Sequence, residues 1–181
     1  MCIRDSNFIT GTYGTPYPTE VLMAQTWNTD LLYDLGLAMG QEYADVNNYG
    51  VYGPAMNTHR SAFAGRNFEY YSEDGVLAGK LAAAQVNAMA TKGTYNYIKH
   101  FALNDQETNR CAFLLTYSNE QAIREIYLKP FELCIKNFDG TQIAVMSSFN
   151  WIGTVPACAN EDTLTCLLYT SPSPRDRSLS R

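Results

Sequence analysis

The sequence predicts an α/β fold, namely a partial (β/α)8 TIM barrel with about half of the barrel present. Strand-like and helix-like segments alternate along the chain, which implies parallel strands joined by right-handed crossovers. This alternation also fits a doubly wound sheet, but no Gly-rich phosphate loop follows any strand. Polar clusters instead follow three successive strands, where barrels of this type assemble their active sites. The clusters are Asn57–Glu69, Lys99–Arg110 and Met146–Trp151.

The first half of the chain predicts a helix, a strand and a second helix. Asn28 can cap a helix whose apolar residues recur at helical spacing. A break rich in Asn and Gly then leads into a predicted strand at Val51–Met56. Asp74 can cap the next helix, which Gly93 ends. The predicted buried residues are Leu31, Leu32, Leu35 and Met39 in the first helix, and Leu77, Leu81, Ala84 and Ala88 in the second.

The second half predicts a strand, a helix and a further strand. Tyr95–Phe101 is a short strand rich in aromatic residues. Ser118 and Gln121 form a capping box for a helix that runs to about residue 137, with Ile123, Ile126, Tyr127 and Cys134 on its buried side. Pro130 should kink this helix, because proline cannot donate to the preceding turn. After a turn at Asp139–Gly140, the segment Gln142–Phe149 predicts another buried strand.

The segments at both ends of the chain are predicted to be foreign to the fold. The codons ATG TGT ATA AGA GAC encode MCIRD at Met1–Asp5, and their reverse complement, in another frame, matches CLLYT at Cys166–Thr170. Such a pair is typical of an inverted DNA element. We therefore expect residues 1–6 and 166–181 to derive from a sequencing adaptor, the latter as a disordered tail, and residues 7–165 to form the domain. A natural basic tail is the alternative.

Composition excludes several classes of function. The net charge is −5, and the two ends carry four arginines but only two aspartates, so the interior is more acidic still. This charge argues against a nucleic-acid partner, which needs clustered Lys and Arg. The interior cysteines Cys111, Cys134 and Cys158 match no zinc motif, and an odd number gives no disulfide framework. No apolar run reaches the ~18 residues of a membrane span. We predict no metal, nucleic-acid or membrane partner.

Five motifs stand in one order along the chain. They are TPYPTEVLMAQTWNTDLL from Thr15, GRNFEYYSED from Gly65, KHF from Lys99 followed by N-x-Q-E-x-x-R, REIYLKPFE from Arg124, and AVMSSFN from Ala144 followed by Ala-Asn. The ordered set resembles the N-terminal (β/α)8 barrel domain of glycoside hydrolase family 3, of the β-glucosidase and β-xylosidase type. This resemblance implies a retaining exo-β-glycosidase without a cofactor. Its expected partners are β-linked oligosaccharides or aryl and alkyl glycosides that end in glucose or xylose.

The resemblance implies that Arg66 binds sugar hydroxyls. A guanidinium suits this role because its fixed donors span neighbouring hydroxyls and it stays charged at any working pH. A structural salt bridge to Glu69 or Asp74 is the alternative.

Lys99 and His100 match the Lys-His pair that holds the terminal sugar in the family. Adjacent residues of a strand normally point to opposite faces. Directing both side chains into one pocket therefore predicts a distorted backbone at the end of this strand. A core histidine beside a solvated lysine is the alternative. For His59, a hydrogen bond within its own loop and a ligand contact both stay open.

Further residues are assigned by the same resemblance. The segment ALNDQET after KHF favours the glucosidase type over the N-acetylhexosaminidase type, which has a P-G-H-G-D-T-type segment there. Met146 and Phe149 occupy an M-x-x-Y pattern at the sugar floor, where Phe149 lacks the hydroxyl of the frequent tyrosine. The residues expected to support the site from behind, rather than to touch the sugar, are Asn104, Gln106, Glu107 and Arg110.

No residue of this chain is predicted to be catalytic. The family's nucleophile is the Asp of an S-D-W-type motif, which this sequence lacks, and its acid/base Glu belongs to later sequence. We assign neither role to Glu69, Glu73 or Glu107, and we expect the chain itself to be inactive. The alternative function is a non-catalytic carbohydrate-binding or structural barrel.

Overall fold

A parallel sheet lies at the centre of the computed structural model, which describes residues 14–167. The strands are, in chain order, β1 (Gly50–Val51), β2 (Tyr95–Phe101), β3 (Leu115–Thr116), β4 (Ile143–Ser147), β5 (Trp151–Ile152) and β6 (Val155–Pro156). β2 pairs in parallel with β1 on one side and with β4 on the other. β3, β5 and β6 form a separate small sheet. The predicted α/β class with parallel pairing is confirmed, as are the bounds of the strand Tyr95–Phe101.

α-Helices precede the first parallel strand and connect it to the following ones. They are α1 (Glu20–Ala24), α2 (Thr29–Asp45), α3 (Gly75–Thr91), α4 (Glu120–Ala122) and α5 (Lys129–Lys136). In the chain, α3 lies between β1 and β2, whereas α4 and α5 lie between β2 and β4. In space, α3 packs against α2, α5 and β2. α3 therefore joins the layer of helices to the sheet.

Two predicted helix caps are confirmed. Asn28 Oδ1 accepts hydrogen bonds from the backbone N–H groups of Asp30 and Leu31, at 3.0 and 3.1 Å. Asp74 Oδ1 accepts two equivalent bonds at the start of α3, at 2.7 and 3.2 Å. Gly93 follows α3 with a φ of 83°, a left-handed conformation that glycine adopts without steric cost. The bounds of both helices thus follow from local chemistry.

The buried face of α2 differs from the prediction at one residue. Leu32 and Met39 are buried as predicted, and Leu35 is half-buried, but Leu31 is 47% exposed. The buried face continues through Gly36, which lies against α3. Helical periodicity alone could not reveal this, because glycine carries no hydrophobic signal.

The helix before β4 also begins differently from the prediction. Asn119, and not Ser118, is the cap: its Oδ1 accepts the N–H of Ala122 at 2.8 Å. The chain is still extended at Asn119, with φ −82° and ψ 159°, so the helix can begin only after it. The single helix that was predicted to kink at Pro130 is instead divided before it: a π-helical turn spans Ile123–Tyr127, and Pro130 stands in the first turn of α5, where its missing N–H costs no helical hydrogen bond.

The predicted strand Val51–Met56 is shorter in the structure. Beyond β1, its pairing with β2 is limited to a single bridge between Ala55 and Lys99. Pro54 has no N–H to donate, and the N–H of Ala55 donates to the carboxylate of Glu20 at 3.1 Å. The Lys99 N–H donates to the carbonyl oxygen of Pro54 at 3.1 Å and the Met56 N–H donates to that of Lys99 at 2.9 Å, so pairing with β2 resumes at this bridge. The Ala55 N–H lies on the opposite edge, and the local sequence did not indicate its contact with α1.

The last predicted strand is less buried than expected. All five residues of β4 are half-buried, whereas the run Gln142–Phe149 predicted a buried strand. β4 is the outer strand of the sheet within residues 14–167, since it pairs there with β2 alone. An outer strand lacks a neighbour on one side, which leaves its side chains partly exposed.

The core lies between the sheet and the helices. The rings of Phe101 on β2 and Phe131 on α5 meet edge to face, with centroids 5.2 Å apart. Leu81 and Ala88 on the predicted face of α3 are buried, and Leu77 and Ala84 are half-buried. Cys134 lies in the same core, where burial raises the pKa of its thiol to about 12. We therefore expect this thiol to be unreactive.

The predicted adaptor-derived segment 1–6 lies outside the described residues, as does the predicted tail from residue 168 onward. Residues Asp162–Leu167 form a π-helical turn. Among residues 14–167, no helix combines the length and the apolar character needed to cross a membrane.

Candidate active site

The end of β2 carries the predicted Lys-His pair. The β2–β4 ladder is regular up to Ile98, shifts register, and resumes at Phe101. Between these residues, the side chain of Asn57 replaces the ladder: it accepts the N–H of His100 at 2.7 Å and donates to the carbonyl oxygen of His100 at 2.8 Å. Lys99 is 1% exposed and His100 is 5% exposed, so both side chains point inward. The predicted distortion of this strand is confirmed.

A fully buried carboxylate connects Arg66 to Lys99. Glu69 ends the short 3-10 helix Asn67–Glu69 and forms an ion pair with Arg66 Nε. Its other oxygen, Oε2, lies 3.4 Å from Lys99 Nζ. The salt bridge of Arg66 to Glu69, which was the alternative to a sugar contact, is therefore present. It does not exclude a ligand contact, because a guanidinium has five N–H donors.

The sequence prediction missed the contact of Glu69 with Lys99. The spacing of three between Arg66 and Glu69 was visible, but the contact with Lys99 depends on packing between segments 30 residues apart in the chain. Two buried cations without a counterion would be costly. Glu69 supplies this counterion and fixes both cations at one end of the sheet.

The remaining charges lie on the loop after β2. Glu107 Oε2 is 3.0 Å from Arg110 Nη1, and Glu107 Oε1 is 3.8 Å from Arg66 Nη1. Asn104 Nδ2 donates to Glu107 Oε1 at 3.1 Å. Gln106 is exposed and donates to the carbonyl oxygen of Thr108 at 2.8 Å. Glu107 thus joins this loop to Arg66, whereas the contact of Gln106 stays within the loop. The supporting role of these residues stays a prediction.

His100 is neutral in this environment. Burial lowers its pKa to about 2, and the nearby positive charges of Arg66, Lys99 and Arg110 act in the same direction, against an opposing effect of Glu69. Both protonation states would otherwise be accessible near neutral pH. The ring therefore offers a ligand one hydrogen-bonding nitrogen and no charge.

Two tyrosine and histidine contacts complete the site. Tyr70 OH lies 3.3 Å from His100 Nδ1, and it accepts a hydrogen bond from Asn104 at 2.7 Å. His59 Nε2 bonds to the backbone carbonyl oxygen of Tyr70 at 2.8 Å. His59 thus makes the contact of a structural histidine. Tyr70 was missed in the sequence, although it stands within the GRNFEYYSED motif.

Met146 and Phe149 lie at the end of β4 and just after it. Met146 is half-buried, whereas Phe149 is 61% exposed. The Arg110 guanidinium lies over the Phe149 ring, 5.0 Å from its centroid. Such a cation–π contact connects the loop after β2 to the loop after β4. The predicted place of both residues at a sugar floor stays a prediction.

Burial of Asp105 makes the stability of the folded chain depend on pH. Burial raises the pKa of Asp105 from 3.8 to about 6, opposed by Arg60 and by a hydrogen bond from Tyr127. Between pH 3.8 and about pH 6, Asp105 keeps its proton in the folded state but has released it in the unfolded state. This contribution to stability is therefore present below about pH 4 and lost as the pH rises through 6.

We expect Asp105→Asn to raise the free energy of unfolding at pH 7 by on the order of 2 kcal/mol, with a difference that shrinks toward pH 4. Urea denaturation at a series of pH values measures it. Asp34→Asn, at an exposed position of α2, should leave the wild-type pH slope unchanged. If the unfolding free energy of Asp105→Asn depends on pH as steeply as that of the wild type, burial does not disfavour the ionised form of this carboxyl.

No group of three or more His, Cys, Asp or Glu side chains within residues 14–167 is arranged to hold a metal ion. The arrangement that is present consists of two buried cations with their carboxylate partners, one neutral imidazole and several amides. It provides hydrogen-bond donors for a polar, uncharged ligand.

The chain is similar to known proteins over nearly its whole length. The model of the glycosyl hydrolase family 3 N-terminal domain matches residues 7–171. Beta-glucosidase A of Butyrivibrio fibrisolvens is 42% identical over 158 residues, which are 87% of this chain and 19% of that protein. A probable beta-glucosidase I of Aspergillus clavatus is 36% identical over 92% of this chain and 20% of its own length. The chain thus spans about a fifth of the length of these curated relatives.

Solved structures show the same relationship. Beta-glucosidase 3B of Thermotoga neapolitana, in complex with glucose, superposes with a TM-score of 0.83 at 40% identity, over 93% of this chain and 23% of that one. The family 3 beta-glucosidase of Bifidobacterium adolescentis gives a TM-score of 0.85 at 33% identity, over 91% of this chain and 24% of that one. Motif order, fold and similarity agree, and the chain belongs to glycosyl hydrolase family 3, within its N-terminal domain.

Proposed function

We propose that this chain is part of a retaining exo-β-glycosidase that hydrolyses terminal β-linked glucose or xylose. Its family membership supports the reaction class, and its relatives are named beta-glucosidases. The similar Thermotoga neapolitana enzyme was solved with glucose. The partner we propose is a β-linked oligosaccharide or an aryl or alkyl glycoside.

We further propose that the three parallel strands belong to a (β/α)8 barrel, of which about half is present. The support is positional. The polar loops that follow β1, β2 and β4 all lie at the carboxyl ends of parallel strands, which is the face that carries the site in such barrels.

One observation carries the proposed sugar site: Arg66, Lys99 and His100 are buried together around Glu69. Glu69 neutralises one of the two positive charges, and His100 is uncharged. What remains is a set of fixed donors with a small positive excess. Such a set suits several neighbouring hydroxyl oxygens better than a strongly charged anion.

In this proposal, Asn104, Gln106, Glu107 and Arg110 hold the loop, and Met146 and Phe149 face the ring of the sugar. An apolar ring can pack against the C–H groups of a sugar even without the hydroxyl of a tyrosine.

Retaining hydrolysis needs two carboxyl groups about 5–5.5 Å apart, one as nucleophile and one as acid and then base. The carboxylates beside the proposed sugar site are Glu69 and Glu107, and both are paired with cations. A carboxylate engaged in this way is a poor nucleophile. The S-D-W-type motif of the family does not occur in this sequence.

We therefore expect the 181-residue chain to release no p-nitrophenol from p-nitrophenyl β-glucoside or β-xyloside above the buffer rate. A sensitive overnight assay at micromolar protein checks this. Lys99→Ala serves as the matched control for contaminating activity. Turnover in the wild-type chain that disappears in Lys99→Ala would show that a complete catalytic site is present.

Extending the gene beyond the codon of residue 165 in its source DNA tests the enzyme function itself. An in-frame S-D-W-type motif, with release of glucose or xylose by the extended protein, supports the proposal. Absence of that motif would favour a non-catalytic carbohydrate-binding or structural barrel.

A further inference from the structure

A directed chain of hydrogen bonds leads to His100, and it begins at Glu107. The Glu107 carboxylate only accepts hydrogen bonds, and its oxygens face Arg110 at 3.0 Å and Arg66 at 3.8 Å. The atom of Asn104 that faces Glu107 Oε1 at 3.1 Å must therefore be the amide nitrogen. This contact fixes the orientation of the Asn104 side chain.

The same amide nitrogen faces Tyr70. Asn104 Nδ2 lies 2.7 Å from Tyr70 OH, and an NH2 group can only donate. The oxygen of Tyr70 is thus an acceptor toward Asn104. Burial raises the pKa of Tyr70, so the hydroxyl keeps its proton, and this proton is left for another acceptor.

The next group in this series of hydrogen bonds is the imidazole of His100, whose Nδ1 lies 3.3 Å from Tyr70 OH. If Tyr70 donates there, Nδ1 must carry a lone pair. We propose that Glu107, Asn104 and Tyr70 act as positioning residues that hold His100 in one tautomer, with its proton on Nε2. In this tautomer, His100 donates a hydrogen bond from Nε2 to its ligand and cannot accept one there.

This tautomer has a consequence for recognition. Within residues 14–167, no hydrogen bond occupies Nε2 of His100, so this nitrogen is the one available to a ligand. Arg66 and Lys99 also only donate. All three side chains then require acceptor oxygens. On the proposed function, these are the lone pairs of neighbouring sugar hydroxyls, whose protons must be taken by other groups.

The test is 15N NMR of the histidine side chains in the ligand-free chain. His59 is an internal reference, because its Nε2 faces the carbonyl oxygen of Tyr70, which can only accept. We expect one-bond N–H coupling at Nε2 in both rings. In His100 this coupling should occur at Nε2 alone, with no averaging between tautomers and no change from pH 5 to pH 8. Protonation of His100 at Nδ1, or an averaged pair of resonances, would overturn the proposal.

The Asn104→Asp variant gives a stronger test of the direction of these hydrogen bonds. Aspartate presents an oxygen to Tyr70, so the Tyr70 hydroxyl turns toward it and exposes a lone pair to His100. We expect the proton of His100 to move to Nδ1, while His59 keeps its proton on Nε2. A merely structural role of Asn104 would not reverse a tautomer. If His100 keeps the wild-type tautomer in this variant, the proposed direction of the chain is wrong.

Tyr70→Phe gives an independent check that keeps the backbone carbonyl contact to His59. Loss of the hydroxyl should move the Nδ1 resonance of His100 toward that of an unbonded nitrogen, and Tyr33→Phe, on α2, should not. An unmoved Nδ1 resonance in Tyr70→Phe would contradict the contact. Because no sugar is added, these outcomes are separate from the success or failure of the proposed function.

Discussion

Replacing Glu69 by glutamine is expected to lower the free energy of unfolding by about 3–5 kcal/mol. Glu69 is fully buried and faces Arg66 and Lys99, which are themselves 5% and 1% exposed. An amide of the same shape preserves packing but removes the negative charge. Arg66 keeps Glu107 at 3.8 Å, but the buried carboxylate that faces both cations and offsets their desolvation is removed. Such a loss is a large part of the 5–15 kcal/mol of a typical domain.

Urea unfolding followed by circular dichroism measures this change. Glu73→Gln, at an exposed position four residues later, is the matched control and should stay within about 0.5 kcal/mol of wild type. In Glu69→Gln/Lys99→Met, one uncompensated cation is gone, so the loss should be smaller than the sum of the single losses. Additive losses, or a single-variant loss below about 1 kcal/mol, would refute the role of Glu69 as shared counterion.

Replacing Gly36 by alanine is expected to destabilise the chain by about 1–3 kcal/mol. An added Cβ would stand 2.6 Å from the carbonyl oxygen of Gln85 and 2.8 Å from Cβ of Ala88, both on α3. The first neighbour is backbone and cannot turn aside, so α2 and α3 must separate. In an unhindered helix interior, the same change would stabilise by about 1 kcal/mol.

Thermal and urea denaturation give the sign of this effect. Ala38→Gly, at an exposed position two residues along α2, calibrates the intrinsic helix preference and should cost about 1 kcal/mol. A stabilised Gly36→Ala variant would mean that the two helices do not approach as closely as described.

Features set by local chemistry were predicted well from the sequence. The caps Asn28 and Asp74 are side chains that bond to the backbone two and three residues ahead, so spacing alone identifies them. Strand β2 was predicted with its observed bounds. The distortion at Lys99 and His100 followed from the need to point adjacent side chains into one pocket.

Features that depend on distant segments were not predictable. The strand expected at Val51–Met56 pairs with β2 up to Val51 and again only at Ala55, whose N–H on the opposite edge is bound by Glu20 from 35 residues away. The shared contact of Glu69 and the clamp of Asn57 on His100 likewise join separate loops. An acidic or amide side chain in a polar loop has many possible partners, and only packing selects one.

A glucose titration of the 15N-labelled chain shows whether Arg66, Lys99 and His100 form a sugar-binding site. We expect saturable chemical-shift changes centred on residues 66–70 and 99–107, lost in Lys99→Met but kept in Lys80→Met, at an exposed position of α3. Shift changes that do not saturate, that lie elsewhere, or that persist unchanged in Lys99→Met would mean that these residues form no sugar-binding site.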